Sequence, residues 1–382
     1  IVSAWGRVWK EQRTVALHIL RSFGMGKNVL AVKVGEEVSA YIKTLSDLCG
    51  EPSEVRFLTK TAVSNIICSI IVGQRFDYDD TYFMKFMDKF DIIFQLSQSS
   101  SLFTVFPWLR YVPGDLFNAK KRIASYRYIM DFFCYHYIEK TKNEDTDLNK
   151  DNFISAYLRE KKRLEQQGQD TSLNDENLAR TLNNLFLAGT DTTSTAIMWF
   201  MLYMLHYPEV QAKIFGEITD VVGLERPPDM YDRSKLNFTV ATIMEIQRIS
   251  SAPFNLPHQC STDTVINGYT IPAGTSVISN INSILTTTDT WKDPEKFSPE
   301  RFLDAQGILK QPEQFIPFGI GRRACPGESL AKMELFLFLS SLVQRFDLRP
   351  AVPGQLPTLK PVEGLVYSPQ PYQIRFVDRR HV

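Results

Sequence analysis

The chain has no excess of charge of either sign. Lys plus Arg and Asp plus Glu balance at 43 each over 382 residues, which removes the electrostatic case for nucleic acid, since binding phosphates needs a basic excess. Cysteine is scarce and scattered: Cys49, Cys68, Cys134, Cys260 and Cys325 form no C-x-x-C pair. An odd, dispersed set argues against a disulfide framework or a zinc cluster and makes a reducing compartment the default. Long apolar runs are missing too. The longest, AIMWFMLYML at 196–205, falls short of the ~20 residues that cross a bilayer. There is no signal peptide and the first residue is Ile1, so either the protein is soluble or its N-terminus lies ahead of this chain. Internal repeats, low-complexity segments and flexible linkers are absent as well.

What is present is mostly helical pattern. WKEQRTVALHILRSFG and VGEEVSAYIKTLSDLCG carry apolar residues at three- and four-residue spacing. A long helix is predicted to open near Ser172 or Asn174, both good N-caps, with Asp175 and Glu176 in its first turn, and to stop before Pro208. From 253 to 316 the texture changes to β-branched runs broken by N-G and P-A-G turns, which predict short strands and hairpins, followed by proline-punctuated irregular chain. Helix returns in ESLAKMELFLFLSSLVQRF, and LVYSPQPYQIRF suggests a final hairpin. KTKNEDTDLNKDN at 140–152 reads as a surface loop. The expected fold class is mainly α with a small β part, in one domain over 1–382.

FGIGRRACPG at 318–327 raises the functional question. Gly319, Gly321 and Ala324 spell G-x-G-x-x-A, the pattern that cradles a dinucleotide pyrophosphate. That reading requires a strand before the glycines and an acidic residue some 20 positions on. Here a proline stands two places before Gly319, and residues 338–346 hold no carboxylate. A sulfur site fits better. Cys325 precedes a long apolar helix, and backbone N–H groups, a helix N-terminus, Arg322 and Arg323 all favour thiolate. The plain alternative is that Cys325 is a small buried hydrophobe.

Three further constellations bear on the choice. AGTDTTST at 188–195 drops an Asp and four threonines into an apolar helix, at a cost unless they are paired; the alternative is a solvated face. Glu245 and Arg248, three apart in a helix apolar nearly all round, make a buried pair that needs a further partner, with Arg301 in SPERF the obvious choice. Trp9 and Arg13 lie one helical turn apart, a pattern that an amphipathic helix edge also explains.

Taken in order, W-x-x-x-R, A-G-T-D-T-T, E-x-x-R, P-E-R-F and F-G-x-G-x-R-x-C-x-G resemble a cytochrome P-450 over the whole chain. FGMGK at 23–27, MEIQR at 244–248 and LPH at 256–258 resemble the animal microsomal family-2 enzymes that oxidise drugs, steroids and fatty acids. The resemblance implies the cytochrome P-450 fold and heme b (iron protoporphyrin IX), with Cys325 as the thiolate on iron, favouring O–O cleavage. Phe318 would shield the sulfur and Gly321 would let the loop turn tightly. Trp9, Arg13, His258 and Arg323 would hold the propionates. Asp191 and Thr192 would relay protons over the distal face. Glu245, Arg248 and Arg301 would form a structural network behind the Cys loop. The substrate pocket would draw on Phe186, Ala188, Gly189, Phe254, Leu256, Leu365 and Val366.

The same resemblance implies a monooxygenase acting on a lipophilic small molecule, with electrons from NADPH through NADPH-cytochrome P-450 reductase and cytochrome b5 as a further partner. It places the protein on the cytoplasmic face of the endoplasmic reticulum membrane. Relative to the family, on the order of a hundred N-terminal residues would be absent, including the anchor, most of the main sheet and the loop that closes the pocket. FTVFPWLRYVPG at 103–114 matches the membrane-dipping loop in position, or is an ordinary surface turn. Two rivals stay open: a heme-thiolate isomerase or dehydratase acting on a peroxide, against which Asp191 and Thr192 argue, and a heme-binding protein without turnover.

Overall fold

The protein is described here from a computed structural model that covers residues 6–25, 28–96, 106–115, 118–143, 151–250, 257–362 and 366–380. Its helices run α1 (Gly6–Ser22), α2 (Asn28–Ser46), α3 (Arg56–Ile71), α4 (Thr81–Gln95), α5 (Ala119–Phe133), α6 (Phe153–Gln166), α7 (Asp175–His206), α8 (Pro208–Val221), α9 (Asn237–Ile249), α10 (Ile281–Thr286) and α11 (Glu328–Arg345). Strands β1 (Pro257–Gln259), β2 (Thr264–Ile266), β3 (Tyr269–Ile271) and β4 (Ser276–Ile278) lie between α9 and α10, and β5 (Phe346–Pro350), β6 (Pro361–Val362), β7 (Ser368–Pro369) and β8 (Ile374–Asp378) follow α11.

The axis of the fold is α7, and its ends are encoded locally. Asn174 Oδ1 accepts the Asn177 N–H at 2.8 Å, satisfying a donor that the first turn leaves open. Asp175 and Glu176 sit where the helix dipole favours negative charge. The helix ends at His206, ahead of the proline that opens α8. Its 32 residues span about 48 Å at ~1.5 Å each. From Ile197 to Leu205 every side chain is buried, so this half is apolar all round and takes helices on all sides.

Against α7 pack α3, α5 and α11. α3 comes close at Gly189, where a Cβ would stand 2.5 Å from Ile67 Cδ1, so a larger residue there would displace the Ile67 side chain. The helices α4 and α5 pack together and their rings close on α7: Phe86 stacks on Phe132 at 4.1 Å, and Phe90 meets Phe186 edge-on at 4.8 Å. Such pairs add about 0.5–1.5 kcal/mol to the burial of their area.

Among the described residues the β part is four two-stranded antiparallel ladders. Asn267 and Gly268 join β2 to β3 with φ of 49° and 84°, the two positive values that a tight hairpin turn needs. The tail departs from the sequence expectation. Among the described residues no hairpin forms within LVYSPQPYQIRF; β7 pairs with β6, and β8 crosses to β5. Pro369 and Pro371 have no N–H to donate to a local ladder. Leu348 and Phe376, opposite one another, are both buried when β8 pairs with β5 instead.

The expected loop at 140–152 also begins differently. A π-helical turn, Cys134–Glu139, carries α5 on into Lys140–Asn143, and Thr141 is buried there. Residues 144–150 lie outside the described residues. Asn152 is a buried cap, accepting the Ser155 N–H at 2.9 Å to start α6.

Candidate active site

The Cys loop is built by two backbone reversals. Gly319 and Gly321 adopt φ of 70° and 74°, a region that side chains other than glycine enter at a cost. The Phe318 carbonyl accepts the Cys325 N–H at 2.9 Å, closing the loop on itself. A single 3-10 turn, Gly321–Arg323, lies inside. Arg13 on α1 then pins it from the other end of the chain, donating Nη2–H to the Ala324 carbonyl at 2.7 Å.

The loop presents Cys325 with an exposed thiol at the mouth of α11. Lost hydration from the atoms crowding its inner side pushes the thiol pKa up, and the backbone N–H groups of Gly327 and Glu328 only partly offset this. The loop does not by itself favour the thiolate, as the charge pattern suggested. A bound metal ion would hold the sulfur deprotonated outright.

Above the loop, Trp9 lies between two cations. The Arg323 guanidinium stands 3.7 Å over the indole and that of Arg13 6.0 Å from it. Arg323 is pushed below the ordinary arginine range by lost hydration and by Arg13, a repulsion that an anionic group would relieve. Trp9 Nε1 is buried and has no hydrogen-bond partner among the described residues. An unsatisfied buried donor costs about 1–3 kcal/mol, and here it faces an acceptor the chain does not supply. An orphaned indole N–H, two guanidiniums and a thiol on a glycine-built loop fit a heme with its carboxylates.

The other expected ligand of the carboxylates makes none of these contacts. His258 is exposed on β1 opposite Val277, and its side chain makes no hydrogen bond, ion pair or ring contact among the described residues. Phe318 is half-buried, with the Lys332 ammonium 5.6 Å from its ring.

On α7 the polar patch divides. Thr190, Thr193, Ser194 and Thr195 are buried, so the patch is not a solvated face. Ala188 and Thr192, one turn apart, form the more open side, with the Thr192 hydroxyl donating to the Ala188 carbonyl at 2.7 Å. Asp191 turns inward and ion-pairs with Lys60 of α3 at 2.7 Å. Phe186 is fully buried in the ring cluster, Gly189 is occupied by the α3 crossing, and Val366 is buried. Phe254, Leu256 and Leu365 lie outside the described residues.

Behind the loop the structure brings Glu245, Arg248 and Arg301 together. Arg248 is wholly buried and donates two hydrogen bonds to the Glu245 carboxylate, at 2.7 and 2.9 Å. Its remaining donors reach the carbonyls of Leu285 and Pro294. Glu245 Oε1 also accepts from Arg301 Nε at 3.0 Å and from the Ser298 N–H at 2.9 Å. Trp291, 5.4 Å beneath Arg248, touches Phe302, and Phe302 touches Phe315, three residues before the loop.

Sequence reading missed two charged groups: Lys60 and Glu334, each an ionisable residue beside a long apolar run of its helix, which is the signal that could have found them. Glu334 on α11 is buried, with Oε1 unpartnered among the described residues. Burial pushes its pKa up to about 8, and a hydrogen bond from Thr193 on α7 only partly opposes this. The folded chain therefore holds a proton between the ordinary carboxyl range and pH 8 that the unfolded chain releases. Stability should fall as pH rises through that interval, by up to about 1.4 kcal/mol per pH unit. Urea unfolding from pH 5 to 9 measures it, and Glu334→Gln should flatten that part of the curve.

The sequence profile of the family described as Cytochrome P450 matches residues 1–376. The chain is 38% identical to cytochrome P450 2J1 of Oryctolagus cuniculus, over 99% of this chain and 75% of that protein. It is 37% identical to cytochrome P450 2J2 of Homo sapiens, over 98% and 74%, and 39% identical to cytochrome P450 2U1 of Homo sapiens, over 100% and 70%. It thus spans about three-quarters of the length of these relatives. Family match and loop geometry agree: the chain belongs to the cytochrome P450 family of heme monooxygenases, among the animal microsomal family-2 enzymes.

Proposed function

We propose that the chain inserts one atom of O2 into a lipophilic drug, steroid or fatty acid, with electrons from NADPH delivered by NADPH-cytochrome P450 reductase and with cytochrome b5 as a second donor. The observation that carries this reading is the convergence of Arg13 and Arg323 on the orphaned Trp9 indole beside the Cys325 loop. Heme b, when bound there, supplies the oxidising chemistry, and the thiolate donates electron density to it.

The chain's own residues do the rest. Cys325 would ligate iron, and Trp9, Arg13 and Arg323 would hold the carboxylates, joined by His258 from β1. Phe318 would keep water from the sulfur and Gly321 would keep the loop tight against the ring. Asp191 and Thr192 would hold and pass protons on the distal side. Ala188 and Thr192, on the open side of α7, would meet the substrate, and Phe186, Gly189 and Val366 would line the pocket with them. Phe254, Leu256 and Leu365 would complete the pocket. Glu245, Arg248 and Arg301 would keep the Cys loop in place.

Among the described residues no helix is long and apolar enough to cross a membrane. Contact with the endoplasmic reticulum surface, on its cytoplasmic face, draws support from Phe106, Trp108 and Tyr111, exposed together on the turn between α4 and α5.

The heme-loaded chain, given reductase, NADPH and lauric acid under 18O2, should yield hydroxylated lauric acid carrying one 18O. Product formed from a hydroperoxide without NADPH would favour a peroxide isomerase or dehydratase instead. A heme spectrum with no product from any probe would favour a binding protein.

A further inference from the structure

Three helices meet at one ammonium. Lys60 on α3 is 8% exposed, and its Nζ lies 2.7 Å from Asp191 Oδ1 on α7 and 2.5 Å from Asp91 Oδ1 on α4. A lysine this buried normally loses charge, and burial does push it that way. The Asp191 and Asp91 carboxylates outweigh burial and hold its pKa above the ordinary lysine range. Lys60 is therefore a fixed cation.

The cluster has a direction. The Asp191 and Lys60 side chains are 12% and 10% exposed and that of Asp91 is 35% exposed, so Asp91 stands at the solvent end and Asp191 at the inner end. Asp191 is also the residue adjacent to Thr192, whose hydroxyl is engaged with the Ala188 carbonyl. A short acid on a helix has few rotamers, and an ion pair this close selects among them.

We propose that Lys60 is a positioning residue that fixes the Asp191 carboxylate for proton delivery beside Thr192, with Asp91 as its anchor on the solvent side. The proposal rests on the proton-relay reading of Asp191 given above. The lysine touches neither substrate nor heme in this scheme; it acts through Asp191. Misplacing a proton-handling group by ~1 Å costs on the order of a hundredfold in rate, and electrons that fail to reach product then leave as peroxide.

The test uses the heme-loaded full chain with reductase, NADPH and lauric acid, comparing product with peroxide per NADPH in H2O and D2O. Lys60→Met and Asp191→Asn should each lower the product share on the order of tenfold and raise the solvent isotope effect. The double variant should be no worse than either single, because the pair acts as a unit. Lys60→Arg should recover most of the product share. A purely structural lysine would change stability but not the isotope effect.

A second readout needs no turnover: in urea unfolding of the substrate-free protein, the Lys60 and Asp191 substitutions should be non-additive. If Lys60→Met does not fold, Asp91→Asn carries the test, with a smaller shift in the same direction. Normal partition in Lys60→Met, or additive losses in the double variant, would overturn the proposal alone. Normal partition in Asp191→Asn would overturn the relay reading with it, and no NADPH-dependent product from the parent chain would overturn the monooxygenase reading as well.

Discussion

Cys325→Ala is expected to abolish the strongly red-shifted Soret band of the reduced, carbon monoxide-bound protein, and monooxygenase activity with it. The same substitution should leave the urea midpoint of the heme-free chain almost unmoved. The contrast follows from where the thiol sits. It is exposed, and the Phe318–Cys325 hydrogen bond that closes the loop is made by the backbone, so alanine keeps the loop. Substitutions at such positions stay within about 0.5 kcal/mol. The electronic effect has no substitute, because the push toward O–O cleavage comes from the thiolate itself. A red-shifted band that survives in Cys325→Ala would show that another residue ligates the iron.

The second large effect concerns stability. Arg248→Met should cost about 3–5 kcal/mol in urea unfolding, the loss seen when one partner of a buried pair is removed. The site shows why. Glu245 and Arg248 are both wholly buried, so the change leaves a buried carboxylate supported only by Arg301 and one backbone N–H. It also frees the carbonyls of Leu285 and Pro294, which Arg248 now satisfies. Arg248→Lys should rescue little, since an ammonium cannot serve a bidentate carboxylate and two carbonyls at once. Glu245→Leu/Arg248→Met should cost less than the sum of its single changes, because the two wholly buried charges go together and Arg301, which loses its carboxylate, keeps three backbone carbonyls. With typical stabilities of ~5–15 kcal/mol, Arg248→Met should also lower the temperature at which heme is lost. An unchanged midpoint in Arg248→Met would contradict the buried network.

How much of this was legible before the structure differs by residue. The ends of α7 were readable because caps and helix breakers act within a few residues of where they stand. The partnership of Glu245, Arg248 and Arg301 was readable for another reason: two opposite charges in a helix apolar nearly all round have to be paired and need a further partner, for which Arg301 in SPERF was the candidate. The Asn267–Gly268 hairpin announced itself by its turn chemistry.

Other features gave no local sign. The pairing of β8 with β5 spans the whole tail, and two prolines stood where a closer partner was expected. The inward turn of Asp191 depends on Lys60, more than a hundred residues earlier, and periodicity carries no information on which helices will face each other. The Cys325 thiol was read from nearby positive charge, whereas its pKa is raised by hydration lost to the atoms that the folded loop brings against its inner side.

By itself, then, the sequence determined the helix-rich class, the limits of the central helix and the family, because these rest on short-range chemistry or on motifs whose spacing is specific. Only the tertiary structure decided which charges meet and which strands pair, and that Phe186 packs in the ring cluster while Thr192 remains on the open side. Those outcomes depend on close packing between segments far apart in the chain, where burial and a few ångströms of approach decide which contact wins.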